Sequence, residues 1–308
     1  MRLSEISVII ATKDRPEELK KCVESLLGQE EVFPKEIIIV DSSGPGPVTS
    51  EKLDPEKRPC PVEIIVSRPG LTFQRNLGVK ASKGSILAFL DDDCVVNKDY
   101  IVELEKAFNE LPEAGGIHGL VLNPPKRNRL KRFFTDIFFL PEMSGTGKLK
   151  YSGVPSYLDF GVFESKKGPV MVEVLQGCGF SFRKVVFEKG YFFDESLEGY
   201  CLGEDYEFSF RVSGEFKLFV VSGPRFYHFE TKTARINNRR EYYQRIVNVH
   251  KFWNRFRKKG PMPVFAISLY YFGVLMQAFG KVLRYGSFNG LSGYIDGMRA
   301  ITGTVRGK

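Results

Sequence analysis

The first third of the chain alternates apolar runs with segments of helical periodicity. The runs stand at 6–12 (ISVIIAT), 36–43 (EIIIVDSS), 62–67 (VEIIVS) and 85–90 (SILAFL). A run that is apolar at successive positions is typical of a strand covered on both faces, as in a parallel sheet. Because helical segments separate the runs, the sequence predicts an α/β fold with a doubly wound, mostly parallel sheet.

The helical segments carry start signals and an apolar face. After the first strand, Pro16 suits a first helical turn, and Glu17 and Glu18 suit the positive end of a helix. Helical spacing of apolar residues follows, and the same spacing predicts helices over 72–82 and 99–111.

Polar side chains stand directly after three of the predicted strands. Thr12 to Arg15 follow the first strand, Asp41 to Ser43 end the second, and Asp91 to Asp93 follow the fourth. In open α/β sheets, ligands bind beyond the carboxyl ends of the strands. The sequence therefore predicts a ligand site at this edge of the sheet.

Among these features, the triplet Asp91, Asp92 and Asp93 gives the most specific chemical indication. Carboxylates so close together repel one another and raise each other's pKa unless a positive charge lies between them. Mg²⁺ and Mn²⁺ bind carboxylate oxygens and often bridge them to substrate phosphates. The alternative is a solvated turn in which the aspartates serve as caps.

Three further positions have both a chemical and a structural interpretation. Glu204 and Asp205 begin a predicted helix, where they suit a general base or a favourable helix dipole. His228 follows a strand and is either a metal ligand or a structural histidine. Arg75 suits a bidentate phosphate contact, although an arginine on a helix surface is common.

The order of these motifs resembles the inverting family 2 glycosyltransferases of GT-A fold. The resemblance covers about residues 4 to 232 and runs through TKDRP, VDSS, FQRNLGVKASKGSILAFLDDD, GCGFSFRK and GEDYEFSFRV to a later histidine. Its most specific part is RNLGVKASKGSILAFLDDDC, which is similar to the family's Arg-Asn-x-Gly and Asp-x-Asp signature.

The resemblance implies a donor site for a nucleotide-diphosphate sugar. Thr12, Asp14 and Arg15 would line the nucleotide pocket, and Asp41 would recognise the base. Arg75 would approach the base or the diphosphate.

The resemblance also implies a divalent cation, Mg²⁺ or Mn²⁺. Asp91 and Asp92 would contact the ribose and the sugar, while Asp93 would hold the metal on the diphosphate. Asp91 and His228 would join Asp93 as metal ligands, His228 with the weakest support because many family members lack it.

On the acceptor side, the resemblance implies a loop from Gly177 to Gly179 whose backbone approaches the donor sugar. Asp205 would take the proton of the attacking hydroxyl, and Glu204 would support it. A single displacement would then invert the anomeric centre. The implied acceptor is a lipid-linked or growing glycan.

The basic charge of the chain is concentrated in its last quarter. Residues 236–308 hold 13 Lys and Arg and two acids, a balance of +11 within an overall +8, so the remainder carries −3. A nucleic acid or an anionic membrane surface could attract such a tail. The uncharged run 262–280 favours the membrane, as an interfacial or re-entrant helix. A full span and a buried helix packed on the catalytic domain are the alternatives.

The resemblance and the composition of the tail together imply two domains, a GT-A glycosyltransferase catalytic domain at 1–235 and a helical, membrane-associating region at 236–308. Between them, 124–170 lacks a clear period and suits a substrate-side insertion or a mobile loop. Five scattered cysteines without a CxxC pair, and no signal peptide pattern, favour the cytoplasm. The predicted location is therefore the inner face of the cell membrane, peripheral or monotopic.

Other functions are less consistent with the motifs. A sugar nucleotidyltransferase would normally carry a Gly-rich loop after the first strand, where this chain has TKDRP. A nucleotide-sugar sensor or scaffold without turnover would be favoured by loss of the Asp pair or of the base, and Asp91, Asp93 and Asp205 are all present. A processive synthase would need several spans and a Gln-x-x-Arg-Trp motif, which the sequence lacks.

Overall fold

The computed structural model describes residues 2–44, 59–124, 129–163, 168–197, 201–229 and 238–305. Its strands are β1 (Arg2–Leu3), β2 (Ile6–Thr12), β3 (Val32–Phe33), β4 (Glu36–Asp41), β5 (Val62–Val66), β6 (Ile86–Asp91), β7 (Cys94–Val96), β8 (Ala114–Val121), β9 (Glu142–Gly145), β10 (Lys148–Leu149), β11 (Pro155–Leu158), β12 (Val170–Val172), β13 (Phe180–Arg183) and β14 (Lys217–His228). Its helices are α1 (Pro16–Leu27), α2 (Leu71–Ala81), α3 (Tyr100–Glu110), α4 (Arg129–Ile137), α5 (Phe160–Phe163), α6 (Lys184–Glu188), α7 (Glu204–Ser213), α8 (Asn238–Phe256), α9 (Pro261–Tyr285) and α10 (Asn289–Val305).

The predicted apolar runs form the parallel half of one sheet. Strands β5, β4, β2 and β6 lie side by side in that order, and every pairing among them is parallel. All core positions of β2 and β4 are buried, which explains their continuous apolar sequences. The predicted α/β fold is confirmed, and the predicted helices at 72–82 and 99–111 are α2 and α3.

The second half of the sheet is mixed. Strand β13 lies antiparallel between β6 and β8, β14 is parallel to β8, and β7 and β12 both pair antiparallel with β14. Within the described residues, the sheet therefore has nine strands, of which only the first four are uniformly parallel. The strand and helix alternation that predicts a parallel sheet ends at α3, and in the half of the sheet that follows, the described parallel pairing is that of β14 with β8.

Strand register places the polar residues at one edge. Thr12 lies opposite Asp41 at the ends of β2 and β4, and Ala11 lies opposite Asp91 at the ends of β2 and β6. Helix α2 packs against β2 and β4, and a Cβ at Gly78 would lie 2.4 Å from Ile9 Cγ2, so only glycine allows this close approach. The parallel pairing of β2 with β4 and β6 thus places the carboxyl ends of these strands at one edge of the sheet.

A cluster of phenylalanine side chains packs between the elements that carry this edge. Neighbouring rings lie 4.2–6.5 Å apart, mostly in tilted and edge-to-face arrangements that suit the aromatic quadrupole, and the members are Phe89, Phe180, Phe182, Phe187, Phe193 and Phe208. The cluster joins β6, β13 and α7, which carry residues of the site. Packing of this density holds those elements at fixed distances.

The chain divides into two compact units. The first comprises Met1–Pro124, Asp159–Gly199 and Glu204–Ala234, and the second Pro125–Leu158, Tyr200–Gly203 and Arg235–Lys308. The predicted boundary at 235/236 lies outside the described residues, and the assignment of separate roles to two domains stays a prediction. The structure groups the irregular segment at 125–158 with the C-terminal helices, which the sequence did not indicate.

The second unit has its own core. Helix α8 lies along α9 and α10, and the small sheet β10–β11–β9 belongs to the same unit. The buried core residues are Leu140, Val154, Tyr242, Ile246, Val249, Trp253, Ile267, Tyr270, Val274, Ala278 and Ile301. Among the described residues, α9 is the one helix long and apolar enough to cross a membrane.

Candidate active site

The ends of β2 and β4 are tied together by a serine. The backbone N–H of Asp14 donates to Ser43 Oγ over 2.8 Å, and Ser43 donates through its N–H (2.8 Å) and its hydroxyl (2.5 Å) to Asp41 Oδ1. Asp14 has a φ of +56°, a left-handed conformation that aspartate tolerates better than most residues. Asp41 is fully buried, while Asp14 is exposed.

The three aspartates have different partners. Asp92 is buried, and its carboxylate accepts from Thr12 Oγ1 at 2.8 Å and from Arg15 at 3.0 Å. Burial raises the pKa of Asp92 to about 6, against the opposing effect of Thr12 and Arg15. Asp92 therefore ties the triplet to Thr12 and Arg15, and Asp93 Oδ2 also lies 3.4 Å from Arg15.

Asp91 and Asp93 converge on His228. The His228 Nε2 atom lies 3.1 Å from Asp93 Oδ1 and 3.9 Å from Asp91 Oδ2. Burial lowers the pKa of His228, but its hydrogen bonds to Asp93 and Cys178 outweigh burial and raise it to about 11. Burial also raises the pKa of Asp91, opposed by Arg75 and His228.

Backbone contacts hold His228 in this position. Strand β14 pairs with β7 so that His228 lies opposite Cys94, and the N–H of Phe229 donates to Asp93 O at 2.9 Å. The Asn123 side chain accepts from the His228 N–H and donates to its carbonyl, both at 2.9 Å. The imidazole is therefore fixed beside the two carboxylates.

The side-chain atoms that surround the His228 imidazole fit a hard divalent cation. Asp93, Cys94 and His228 each offer one ligand atom within 4.8 Å of the others, and Asp91 Oδ2 faces the same imidazole. Carboxylate oxygens with one imidazole suit Mn²⁺ or Mg²⁺, and the positive charge of such an ion would replace the proton on His228. The Cys94 thiol is buried, and burial raises its pKa well above the usual range, so it stays neutral.

Arg75 is held by protein groups at the centre of the site. Its guanidinium lies 2.7 Å from Glu204 Oε1, 3.2 Å from Asp91 Oδ1 and 3.3 Å from the Gly177 carbonyl oxygen. The side chain is 3% exposed and lies against the rings of Phe180 and Phe193. Arg75 therefore bridges Asp91 and the acid pair of α7, a role that the sequence did not indicate.

The acid pair at the start of α7 faces Gly177. Asp205 Oδ2 accepts from the Gly177 N–H at 3.1 Å, and Glu204 accepts from Arg75. Burial and the neighbouring Asp205 raise the pKa of Glu204 to about 8, with Arg75 opposing. A Cβ at Gly177 would lie 3.2 to 3.4 Å from Asp205, Glu204 and Arg75, so a side chain there would crowd all three.

Gly179 is required for a different reason. Its φ is +142°, and a Cβ there would lie 2.3 Å from Phe226 Cζ. Only glycine combines this backbone conformation with so close a ring. The 177–179 loop is thereby held against the end of β14, next to the site.

Direct contacts thus join most of the residues predicted from the sequence. A continuous series runs from Thr12 and Arg15 through the three aspartates and His228 to Arg75, Glu204, Gly177 and Asp205. The Ser42 N–H, which donates to Thr12 O at 3.1 Å, connects this series to the pair Asp41 and Asp14. The structure therefore brings the predicted site residues into one place, and their chemical roles stay predictions.

Four supporting residues were missed by sequence reasoning. Gln74 donates to the Thr12 and Val40 carbonyls, and Asn76 donates to Phe193 O and Glu195 while accepting from the Phe193 N–H. Ser43 and Asn123 play the supporting roles described above. The available signal was three successive polar residues, Gln74 to Asn76, within one predicted helix. Ser43 belongs to the polar run that ends the second predicted strand, and no local pattern points to Asn123.

The comparisons with known proteins identify the family and the fold of this chain. Residues 7–187 match the family model of glycosyl transferase family 2. The O-antigen biosynthesis protein RfbC of Myxococcus xanthus is 30% identical over 121 residues, which are 39% of this chain and 9% of that protein. The chain spans about a third or less of the length of the curated relatives it matches.

Two solved structures share the fold. TarS of S. aureus, residues 1–349 in complex with UDP-GlcNAc, has a TM-score of 0.58 at 13% identity, with 96% of this chain and 79% of that chain covered. GalNAc-T7 with UDP, GalNAc and Mn²⁺ has a TM-score of 0.56 at 16% identity, with 91% and 57% covered. Because the family model covers more than half of the chain, this protein belongs to glycosyl transferase family 2 and is a glycosyltransferase of GT-A fold.

Proposed function

We propose that this glycosyltransferase moves a sugar from a nucleoside-diphosphate sugar to a hydroxyl of a lipid-linked or growing glycan, with inversion at the anomeric carbon. The observation that carries the proposal is the Arg75 bridge. One arginine contacts Asp91, which faces His228 and Asp93, and also Glu204, which precedes Asp205. Groups suited to a leaving diphosphate and to an attacking hydroxyl are thus held at a fixed spacing.

The donor is assigned to the edge formed by β2, β4 and β6. Thr12, Asp14, Arg15 and Asp41 would bind the nucleotide, and Asp91 and Asp92 the ribose and sugar. Support comes from the pre-formed hydrogen bonds among these residues and from the UDP compounds in the TarS and GalNAc-T7 structures. The Gly177 and Gly179 backbone would border the sugar.

Asp91, Asp93 and His228 would hold a divalent cation, Mn²⁺ or Mg²⁺. When bound, the cation supplies positive charge for the diphosphate oxygens of the leaving group. The protein's part is to hold two carboxylates and one imidazole within reach of one point, which the β7–β14 pairing and Asn123 achieve. The Mn²⁺ in the GalNAc-T7 structure is consistent with this proposal.

Asp205 would act as the general base. Its Oδ2 atom accepts the Gly177 N–H, which orients the carboxylate, and an ionised carboxylate so held can take a proton from an acceptor hydroxyl. Glu204 would act on Asp205 indirectly. The raised pKa of Glu204 and its contact with Arg75 would determine the net charge of the Glu204–Asp205 pair. A carboxylate base at this position is expected to contribute about 10²- to 10⁴-fold to the rate.

The acceptor and the location follow from the basic, apolar C-terminal region. We assign residues 236–308 to an anionic membrane surface, on the cytoplasmic face of the cell membrane, and not to a nucleic acid. Its 13 basic residues and the apolar helix α9 support this assignment, as does the O-antigen biosynthesis named for RfbC. A lipid-linked acceptor would lie at the same surface.

A thermal-shift panel followed by a transfer assay tests the proposal. UDP, GDP, dTDP and CMP are each added with Mn²⁺ and with EDTA, and a ligand at a hundred times its Kd is expected to stabilise the protein by about 2.7 kcal/mol. One diphosphate should shift the melting temperature with Mn²⁺ only. Transfer of the matching sugar to a polyprenyl-phosphate-linked glycan, with inverted anomeric configuration by NMR, completes the test.

The alternatives predict different results. A sensor without turnover would bind the donor and form no glycoside. A sugar nucleotidyltransferase would release pyrophosphate from a nucleoside triphosphate and a sugar phosphate. Retention of configuration in the product would contradict the single displacement.

A further inference from the structure

Helix α9 is apolar on all sides, but only one of its sides is packed. That side joins the core of the second unit through Ala266, Ile267, Tyr270, Val274 and Ala278. A helix that is apolar all round is typical of a buried helix or of one in contact with lipid. The unpacked side of α9 therefore needs a partner other than water.

Helix α8 accompanies α9 along its whole length. Trp253 Nε1 donates to Pro263 O at 3.1 Å near the start of α9, the Tyr270 hydroxyl donates to Arg245 O at 2.9 Å in the middle, and Lys281 donates to Asn238 Oδ1 at 2.9 Å near the end. The two helices are therefore antiparallel neighbours with contacts from end to end.

This pairing is incompatible with a membrane span by α9. Helix α8 carries five basic residues, Arg239, Arg240, Arg245, Lys251 and Arg255, and one acid, Glu241. If α9 crossed the bilayer while packed on α8, these charges would enter the hydrocarbon, where each is costly. The α8–α9 pair is instead compatible with α9 lying in the plane of the surface, as interfacial helices do.

The unpacked side of α9 presents a stripe of large apolar side chains. Phe265, Phe272, Met276, Phe279 and Leu283 are 43–75% exposed. Their spacing of three, four or seven residues places them on one face, over a length of roughly 27 Å.

Helix α4 adds a second stripe to this surface. Leu130, Phe133 and Ile137 are spaced by three and four residues and are 78%, 64% and 43% exposed. The next residue, Phe138, lies with its ring centroid 5.7 Å from that of Phe272, and a Cβ at Gly273 would come within 2.5 Å of Phe138 Cβ. Close approach at Gly273 therefore brings the two stripes together, and we call them the α4–α9 face.

Basic residues border the α4–α9 face. Arg132 on α4 and Arg284 on α9 are exposed, whereas Lys281, one turn before Arg284, faces Asn238 of α8. On α4, Asp136 is the acid, and it contacts Arg132 at 3.7 Å and Lys150 at 3.5 Å. An apolar surface with a cationic border suits lipid acyl chains beneath anionic headgroups.

We propose that the α4–α9 face docks in the plane of an anionic lipid bilayer, with both ends of α9 on the same side of the membrane. The proposal deepens the membrane contact proposed above by adding α4 to it and excluding a span, and it is independent of the donor and acceptor. Exposed apolar patches of this extent on soluble proteins mark membrane or protein contacts. The cationic border favours the membrane, and a second copy of this chain is the competing occupant in the tests.

Vesicle binding tests the face itself. The full-length protein is sedimented with phosphatidylcholine vesicles that contain roughly one third phosphatidylglycerol, and with vesicles of phosphatidylcholine alone. Leu283→Glu and Phe133→Glu place one negative charge on each helix at positions that bury little surface, so the fold is retained. Met171→Glu is the matched control, since Met171 is 62% exposed on β12 of the first unit.

We expect the wild type and Met171→Glu to sediment with the anionic vesicles. Leu283→Glu and Phe133→Glu should each weaken the partition coefficient about tenfold, through lost apolar burial and repulsion by the anionic headgroups. Normal binding by Leu283→Glu would overturn the α9 part of the proposal, and normal binding by Phe133→Glu would overturn the α4 part.

Cysteine labelling tests the orientation. The native cysteines, all buried, give little background. Lys259→Cys and Asn289→Cys place a thiol before and after α9, and a membrane-impermeant maleimide is added outside sealed vesicles carrying the protein. Labelling of both thiols is expected for a helix in the plane. Protection of one of them would establish a span and overturn the proposal.

Two further measurements distinguish membrane docking from self-association and from a defect in the donor site. Size-exclusion chromatography with light scattering reports on self-association: a wild-type dimer that Leu283→Glu dissociates, without vesicle binding, would assign the face to a second copy and overturn the proposal. The thermal shift with the nucleoside diphosphate and Mn²⁺ is measured on every variant. This thermal shift is absent only if the proposed donor binding is wrong. The membrane-docking proposal and the proposed function are therefore tested separately.

Discussion

The guanidinium of Arg75 and the carboxylate of Glu204 lie 2.7 Å apart and are 129 residues apart in sequence. The same guanidinium is 3.2 Å from Asp91 at the end of β6. An arginine between two carboxylates reduces their mutual repulsion and sets the distance between them. The positions of the proposed metal ligands and of the proposed base thus depend on one side chain.

Loss of this bridge should cost both stability and activity. Arg75→Met leaves the buried Glu204 and the neighbouring Asp91 without this cation, and above about pH 8, where Glu204 is ionised, removal of one partner of a buried pair costs roughly 3–5 kcal/mol. Arg75→Met combined with Glu204→Gln should cost less than the sum of the single changes, because the double variant no longer buries an unpaired Glu204. Urea unfolding of the four proteins measures the coupling.

Arg211→Met is the matched control for the Arg75 bridge. Arg211 pairs with the buried Glu207 at 2.8 Å on the same helix, and its other contacts are with Phe192 and Phe208. It should lower stability while leaving kcat unchanged at temperatures where the protein is folded. Additive costs for Arg75 and Glu204 would show that the contact does not contribute to stability.

Glu204 should make the protein less stable as the pH rises. Its pKa is raised from 4.5 to about 8 in the folded state, so between these values the folded protein keeps a proton that the unfolded chain has lost. Stability falls with pH wherever the folded state binds more protons. The stability that protonated Glu204 contributes is therefore fully present below its unfolded-state pKa of 4.5. It is lost as the pH rises through the folded-state pKa of about 8.

The variant Glu204→Gln isolates this effect. Urea midpoints in EDTA at about pH 5 and about pH 8 should differ less for the variant than for the wild type, because the titrating group is gone. An equal pH dependence in the two proteins would assign the titration to another group.

Asp205→Asn should abolish transfer and retain donor binding. Asparagine keeps an oxygen that can accept the Gly177 N–H but cannot take a proton from the acceptor. Loss of a general base is expected to lower kcat by about 10²- to 10⁴-fold. The thermal shift with the nucleoside diphosphate and Mn²⁺ should match that of the wild type, and retained turnover would remove Asp205 as the base.

Asp93→Asn and His228→Gln should weaken Mn²⁺ binding without unfolding the protein. Each change removes one proposed ligand, and we expect an affinity lower by about tenfold or more, since ligand charge and number set the affinity of such sites. The EPR signal of free Mn²⁺ measures this without reference to activity. Asp14→Asn provides a control, because Asp14 contacts Ser43 and is not one of the proposed metal ligands.

Gly179→Ala should be more costly than Gly190→Ala. Both glycines have a positive φ, +142° and +89°, but a Cβ added at Gly179 would lie 2.3 Å from the Phe226 ring, while one added at Gly190 would meet open space. The backbone strain costs about 1–2 kcal/mol, and overpacking adds about 1–3 kcal/mol at Gly179. Thermal unfolding compares the two, and equal costs would show that Phe226 moves aside freely.

Local sequence patterns determined the parallel half of the fold and the edge that carries the site. Continuous apolar runs identify β2, β4, β5 and β6, and the polar residues that follow them lie at one edge because parallel strands end together. The motif resemblance then named the residues of the site. The order of these strands in the sheet was not predicted, because β6 follows β5 in sequence but pairs with β2.

Tertiary structure alone decided the rest. The insertion of β13 between β6 and β8, the approach of His228 to Asp93, and the Arg75–Glu204 bridge all join residues distant in sequence, and periodicity reports only on neighbours. The packing of α9 against α8, with α4 at its side, was equally hidden, because an apolar run has the same sequence whether protein or lipid covers it. The sequence by itself determined the strands of the parallel half and the residues predicted for the site; long-range packing decided which of them touch.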